Sequence, residues 1–176
     1  MYEITYGEYQ KVVTDRLSYQ NQLFVKLISK LILQGKITLE EIPLKEIIMY
    51  EITNGEYQKI VTDRLSYQNQ LFFEFISKLI LQGKITLEEI PQELRIKNCK
   101  IYISALRVSR NNCKSLIETL KIMLSDIKEV ELKSDKNKII ELFFYNYQIL
   151  LDNYSDDKQV EDFKKFIPKE ILETCS

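Results

Sequence analysis

Apolar residues recur at helical spacing through most of the chain. In the first run, Phe24, Leu27 and Leu31 follow steps of three and four residues, which place their side chains on one face of a helix. Polar residues occupy most of the positions between them. This pattern predicts an amphipathic helix over residues 8–34, ended by Gly35, because glycine takes the left-handed conformation of a helix C-terminus without a Cβ penalty.

The first run belongs to a segment that is present twice. Residues 1–43 recur as residues 49–91, and Met49 stands where the second copy begins. The copies differ at five positions, Tyr6/Asn54, Val12/Ile60, Val25/Phe73, Lys26/Glu74 and Leu27/Phe75. Three differences are adjacent and make the second copy bulkier. We interpret them as packing of the second copy on the C-terminal domain, with the first copy freer; neutral drift after duplication is the alternative.

Each copy also contains the start and stop signals expected of a helix–turn–short-helix arm. Gly83 repeats the predicted stop at Gly35, and Pro43 and Pro91 close the following turn. Ser/Thr followed three residues later by Glu is the spacing of a capping box. It occurs at Thr5–Glu8, Thr38–Glu41, Thr53–Glu56 and Thr86–Glu89. The link over 44–48 is not rich in Gly or Ser, so we expect it to be ordered.

The unrepeated remainder also reads as helices. A short helix is expected after Pro91, ended by Asn98, while residues 100–108 suit either a strand or a helix. Further helices are expected to start at four places, namely Asn111 or Asn112, Ser134, Ser155–Asp157 and Pro168. The predicted fold class is all-α, a helical bundle with a duplicated N-terminal arm. The predicted domains are 1–48 (first copy), 49–96 (second copy) and 97–176 (C-terminal helical domain packed with the second arm).

Composition narrows the function classes. Apolar residues make up 45% of the chain and charged residues 29%, with a net charge of −1, which is typical of a globular protein. Histidine is absent, and with it the usual general base and the commonest transition-metal ligand. No glycine-rich phosphate loop is present. We therefore expect no catalytic residues, no metal and no cofactor.

Localisation is expected to be cytoplasmic, with no membrane partner. The first residues have neither a basic start nor an apolar run, and no stretch approaches the ~20 apolar residues of a spanning helix. Three unevenly spaced cysteines indicate free thiols in a reducing compartment.

The repeated segment KLISKLILQGKITLEEIP resembles small helical proteins of phage tail-gene modules from phages of Gram-positive bacteria. Those carry the pattern K-L-I-x-x-G-x-x-T-[LI]-E-x-[VI]-P-E-x-[LY], and the best match runs from Lys78 to Leu94. Gln92 departs from it. The resemblance implies a phage or mobile-element origin and assigns no functional residues.

Two groups of residues are candidates for partner binding. One is an acid-free basic run between Glu93 and Glu118, and the other is the tyrosine- and amide-rich first arm. Tyrosine is enriched in interfaces. The candidates are Tyr6, Tyr9, Tyr19, Gln20, Asn21, Arg95, Lys97, Lys100, Arg107, Arg110 and Lys114. The alternatives are a solvated basic face balanced by the acids of 152–173, and tyrosines at the rim of the core.

We therefore expect a small non-enzymatic protein that binds a host or phage protein, either alone or within a nucleic-acid-bound complex. In this role it is a phage or mobile-element accessory protein that inhibits or adapts a host nucleic-acid-handling complex. The alternative is a structural component that self-associates, for example as a homodimer, through the repeated arms.

Overall fold

The computed structural model describes residues 19–42 and 70–174. The described residues are helical with no strand, which confirms the predicted all-α class. The chain forms two compact units, residues 1–75 and 76–176. The boundary between the units falls inside the second copy of the repeat, and the predicted three-part division of the chain stays a prediction.

The helices of the described residues are short and long elements separated by tight turns. They are α1 (Tyr19–Leu33), α2 (70–81), α3 (Gln92–Lys97), α4 (Cys99–Ser109), α5 (Cys113–Glu129), α6 (Lys133–Tyr154), α7 (Lys158–Phe166) and α8 (Lys169–Glu173). Two 3-10 turns, Leu39–Glu41 and Leu87–Glu89, follow α1 and α2.

Both copies end their long helix in the same way. Gly35 has φ 71° and Gly83 has φ 74°, the left-handed conformation that the sequence predicts. In the second copy the Gly83 N–H donates to the Ile80 carbonyl and the Lys84 N–H donates to the Leu79 carbonyl, each at 3.0 Å. This pair of bonds is the Schellman motif, which satisfies the last carbonyls of a helix.

The predicted capped turns after the glycines are present as 3-10 turns. The Glu89 carboxylate accepts hydrogen bonds from the Thr86 N–H at 3.2 Å and from the Thr86 hydroxyl at 3.3 Å. In the first copy the Thr38 hydroxyl donates to Glu41 at 3.2 Å. The predicted capping boxes at Thr5–Glu8 and Thr53–Glu56, and the link over 44–48, lie outside the described residues.

In the first unit, the two copies meet through aromatic rings. Phe24 of α1 stacks on Phe72 of α2, with ring centroids 4.6 Å apart and ring planes within 9°. Phe73 meets the same Phe24 ring edge-on at 4.9 Å. Phe24 is 0% exposed and Phe72 1%. Phe24 of the first copy is therefore buried against the second copy, and Phe73 contributes to packing between the copies. Whether the first copy is the freer of the two stays a prediction.

The core of the second unit is centred on α5. This helix packs most extensively against α6 and also contacts α4 and α7. Its buried face includes Leu116, Leu120 and Met123, all 0% exposed. The Leu87–Glu89 turn of the second copy contacts α4 and α5, so the end of the second copy does pack on the C-terminal helices.

Most of the predicted helix boundaries in this unit are correct. Asn98, Asn112 and Asp157 each cap a helix by accepting a backbone hydrogen bond, from Lys100, Ser115 and Gln159 respectively. Residues 100–108 are helical and not a strand. The predicted start at Ser134 is wrong by two residues, because α6 begins at Lys133 with Leu132 at its cap position. Pro168 is the N-cap of α8.

Candidate partner-binding surface

Arg95 differs from the other predicted bases because its side chain forms a buried ion pair with Asp126. Its Nη2 lies 2.7 Å from Oδ1 of Asp126 and its Nε donates to Oδ2 at 2.8 Å. The same guanidinium donates through Nη1 to the Ile90 carbonyl at 2.7 Å. The Arg95 side chain is 12% exposed and that of Asp126 is 0%. Arg95 therefore holds the end of the second copy on α5 and offers little charge to a partner.

Two more donors complete the cluster around Asp126. The Tyr102 hydroxyl donates to Oδ2 at 2.6 Å, and the Gln92 amide donates to Oδ1 at 3.1 Å. Burial, together with the neighbouring Asp126 carboxylate, raises the pKa of Tyr102 well above its ordinary value. Burial alone lowers the pKa of Arg95, but the hydrogen bonds and charge of Asp126 outweigh it and raise that pKa. Both groups therefore keep their protons, and the cluster is a structural anchor.

The outward face of α4 carries the most prominent remaining part of the basic run. Lys100, Ile103 and Arg107 are exposed and follow steps of three and four residues, which place them on one line along the helix. Ile103 is 41% exposed, and Val108, which follows Arg107 in sequence and lies to one side of this line, is 46% exposed. In the described part of the chain, neither Lys100 nor Arg107 has an ion-pair partner. We call Lys100, Ile103, Arg107 and Val108 the α4 face.

Lys97 and Lys114 flank the α4 face in sequence. Lys97 is the last residue of α3 and Lys114 lies in the first turn of α5; both are exposed. Since α3 to α5 carry no acid between Glu93 and Glu118, the basic character extends along the chain on both sides of α4.

Arg110 is held in place by α6. Its Nε donates to Oδ1 of the buried Asn146 at 3.0 Å, and its guanidinium lies 5.9 Å from the centre of the Tyr145 ring. The Tyr154 hydroxyl donates to the Arg110 carbonyl at 2.8 Å. Tyr145 is 64% exposed and was absent from the sequence-based candidates. The Arg110–Tyr145 pair gives the surface one pre-positioned cation and one exposed aromatic ring.

The tyrosine group of candidates is only partly placed. Tyr19, Gln20 and Asn21 form the first residues of α1. Tyr6 and Tyr9 lie outside the described residues.

The described ranges also bear on metal binding, membrane insertion and thiol chemistry. Across 19–42 and 70–174 no group of three His, Cys, Asp or Glu side chains is arranged to hold a metal ion. None of the helices in those ranges combines the length and apolar character needed to cross a bilayer. Cys99 and Cys113 are free thiols, and burial raises the pKa of both. The arrangement thus offers charge, apolar contact and an aromatic ring, which are the elements of a binding surface.

Comparison with known proteins identifies no relative. The chain matches no family model, no curated protein and no solved structure.

Proposed function

We propose that this chain is a non-enzymatic protein that acts by binding an acidic surface of another protein through the α4 face. The observation that carries the proposal is the placement of exposed Ile103 between Lys100 and Arg107, two bases without an ion-pair partner among the described residues, with exposed Val108 beside Arg107. The exposed apolar side chains add contact area beside the charges that a partner can bury. A partner needs apolar contact at the centre and carboxylates around it, which is the usual division between the core and rim of an interface.

Charge has a defined part in this proposal. Complementary charges speed the encounter and reject partners of the wrong sign, while the apolar centre supplies the affinity. The whole chain has a net charge of −1, so the attraction is local to α4 and its flanking lysines. The phage resemblance of the repeated segment supports the wider part of the proposal. In this wider proposal the chain is an accessory protein of a phage or mobile element, and its partner belongs to a host nucleic-acid-handling complex.

The test is charge reversal on the α4 face. We expect Lys100→Glu with Arg107→Glu to weaken capture of an acidic protein from a Gram-positive bacterial lysate about tenfold, which corresponds to ~1.4 kcal/mol. The matched control is Lys158→Glu with Lys169→Glu, two exposed positions at helix starts outside the basic run. The control changes the net charge by the same amount and is expected to bind as the wild type does.

Nuclease treatment separates the protein partner from direct nucleic-acid binding. The proposal expects capture to survive digestion of DNA and RNA. Capture that disappears on digestion, or that falls equally in the charge-reversal variant and its control, contradicts the proposal.

Self-association through the repeated arms is the second candidate. The observation that favours it is the contact between equivalent residues of the two copies, Phe24 and Phe72. Light scattering of the full chain tests it. Constitutive self-association predicts a mass of two chains or more, and a monomer contradicts it.

A further inference from the structure

The stacked rings of the first unit are the same residue of the repeat. The copies are offset by 48 positions, so Phe24 in the first copy corresponds to Phe72 in the second. Contact between a residue and its own equivalent is the signature of an isologous interface, in which the same patch is used on both sides. Such contact is expected when two identical helices pair about a two-fold axis.

The surroundings of the stack are nearly identical in sequence as well. Between residues 19–33 and their equivalents 67–81, the copies differ at three positions only, Val25/Phe73, Lys26/Glu74 and Leu27/Phe75. All three follow directly after the stacked residue. One of them, Phe73, is buried and packs edge-on against Phe24. The copies have therefore diverged beside the place where they meet.

We propose that the contact of Phe24 with Phe72 and Phe73, which we call the seam, is a potential homodimer interface that is occupied within one chain. Its occupant in the closed form is α1, and its alternative occupant is the same seam of a second copy of this chain. Displacing α1 exposes Phe72 and Phe73 of α2, which then pair with the same rings of another α2. The inference differs from constitutive self-association because it expects a monomeric wild type, and it does not depend on the α4 face.

There is a physical reason for α1–α2 pairing within one chain to be favoured over pairing between two chains. The two copies belong to one chain, and covalent linkage makes the pairing of α1 with α2 intramolecular, with an effective concentration in place of the concentration of a second chain. A second chain at ordinary concentration competes poorly with it. The wild-type chain is therefore expected to be a monomer, and association is expected only when the contribution of α1 is removed.

The copies are also unequal as partners. An α2–α2 pair brings together two Phe72 and two Phe73 rings, and each aromatic pair contributes about 0.5–1.5 kcal/mol beyond the area it buries. An α1–α1 pair has Val25 in the position of Phe73. Pairing through α2 should thus be tighter than pairing through α1.

The experiment uses the full chain with one side of the seam disabled. Phe24→Asp places a charge at a position that is 0% exposed, so α1 no longer covers α2. We expect this variant to be a concentration-dependent dimer by light scattering, whereas the wild type is a monomer. Phe72→Asp, which disables the other side, is expected to dimerise more weakly. The double variant Phe24→Asp with Phe72→Asp is expected to be a monomer.

The double variant distinguishes specific pairing from misfolding. Association caused by general loss of structure is at least as strong in the double variant as in either single one, and that result overturns the proposal. A monomeric Phe24→Asp variant with protected amides in α5 overturns it too. A wild type that is already a dimer overturns closure within the chain while supporting constitutive self-association, so the two ideas fail separately.

Discussion

At the scale of single residues, Asp126 organises the second unit. It is 0% exposed and accepts hydrogen bonds from Arg95, Tyr102 and Gln92. A buried carboxylate is costly unless it is paired and its oxygens are fully hydrogen-bonded, and this one meets both conditions. The anchor joins α3 and α4 to α5, and it explains why Arg95 differs from its neighbours in the basic run.

The sequence contained a signal for this cluster. Leu116, Leu120, Met123 and Ile127 form an apolar stripe of α5, and Asp126 lies three residues after Met123, so an acid falls beside this stripe. An acid in that place calls for a buried base. The sequence alone does not choose the base, because Arg95 is 31 residues away and the choice depends on tertiary packing.

The anchor leads to a prediction on stability. Asp126→Asn leaves the Arg95 guanidinium buried without an opposite charge, so we expect a loss of about 3 kcal/mol in the free energy of unfolding. Urea denaturation followed by circular dichroism measures it. Asp162→Asn, the same change at an exposed position of α7, is the control and should cost under ~0.5 kcal/mol. Equal losses in the two variants contradict the anchor.

At the scale of elements, local signals predicted most of the structure. The glycine stops, the Asn and Asp caps and the apolar stripes each act within a few residues, and the structure follows them at Gly35, Gly83, Asn98 and Asn112. Residues 101–103 have strand-like side chains yet lie in α4. Here burial of Ile101 with Ala105, and of Tyr102 with Leu106, at the four-residue spacing of a helix overrides β propensity.

Gly83 allows a test at the scale of a single helix end. A Cβ at Gly83 meets no atom within 4 Å, so only the left-handed backbone opposes a side chain there. Gly83→Ala should cost about 1 kcal/mol in the free energy of unfolding. Gly83→Asn should cost less, because asparagine tolerates this conformation. Thermal unfolding of both variants measures the difference, and an alanine variant as stable as the wild type contradicts the strain.

The interplay of the two copies was not predictable from local signals. The sequence showed that Phe73 adds bulk to the second copy, and the inferred target was the C-terminal domain. The contact in the structure is with Phe24 of the first copy. The surface that each copy packs on depends on contacts between residues far apart in sequence. Sequence periodicity carries no information about such contacts.

At the scale of the whole molecule, the structure separates two kinds of surface. Phe24 and Phe72 are buried between the copies, whereas the α4 face exposes apolar and basic side chains together. The sequence identified the basic run but not the different environments of its members. Arg95 is buried in an ion pair, Arg110 is hydrogen-bonded to Asn146, and the bases on α4 are exposed. These differences follow from helix phase and from contacts with α5 and α6.

The central claim is that the α4 face contacts a protein partner, and site-specific photo-crosslinking tests it most directly. A benzophenone side chain replaces Ile103 in one protein and, as the control, Leu132 in another; Leu132 is 64% exposed and lies outside the basic run. After irradiation in a Gram-positive bacterial lysate, we expect position 103 to give one discrete adduct with an acidic protein. Adding Arg107→Glu should reduce the yield of that adduct several-fold. The same adducts at both positions, or an adduct at 103 that is indifferent to Arg107→Glu, would contradict the claim.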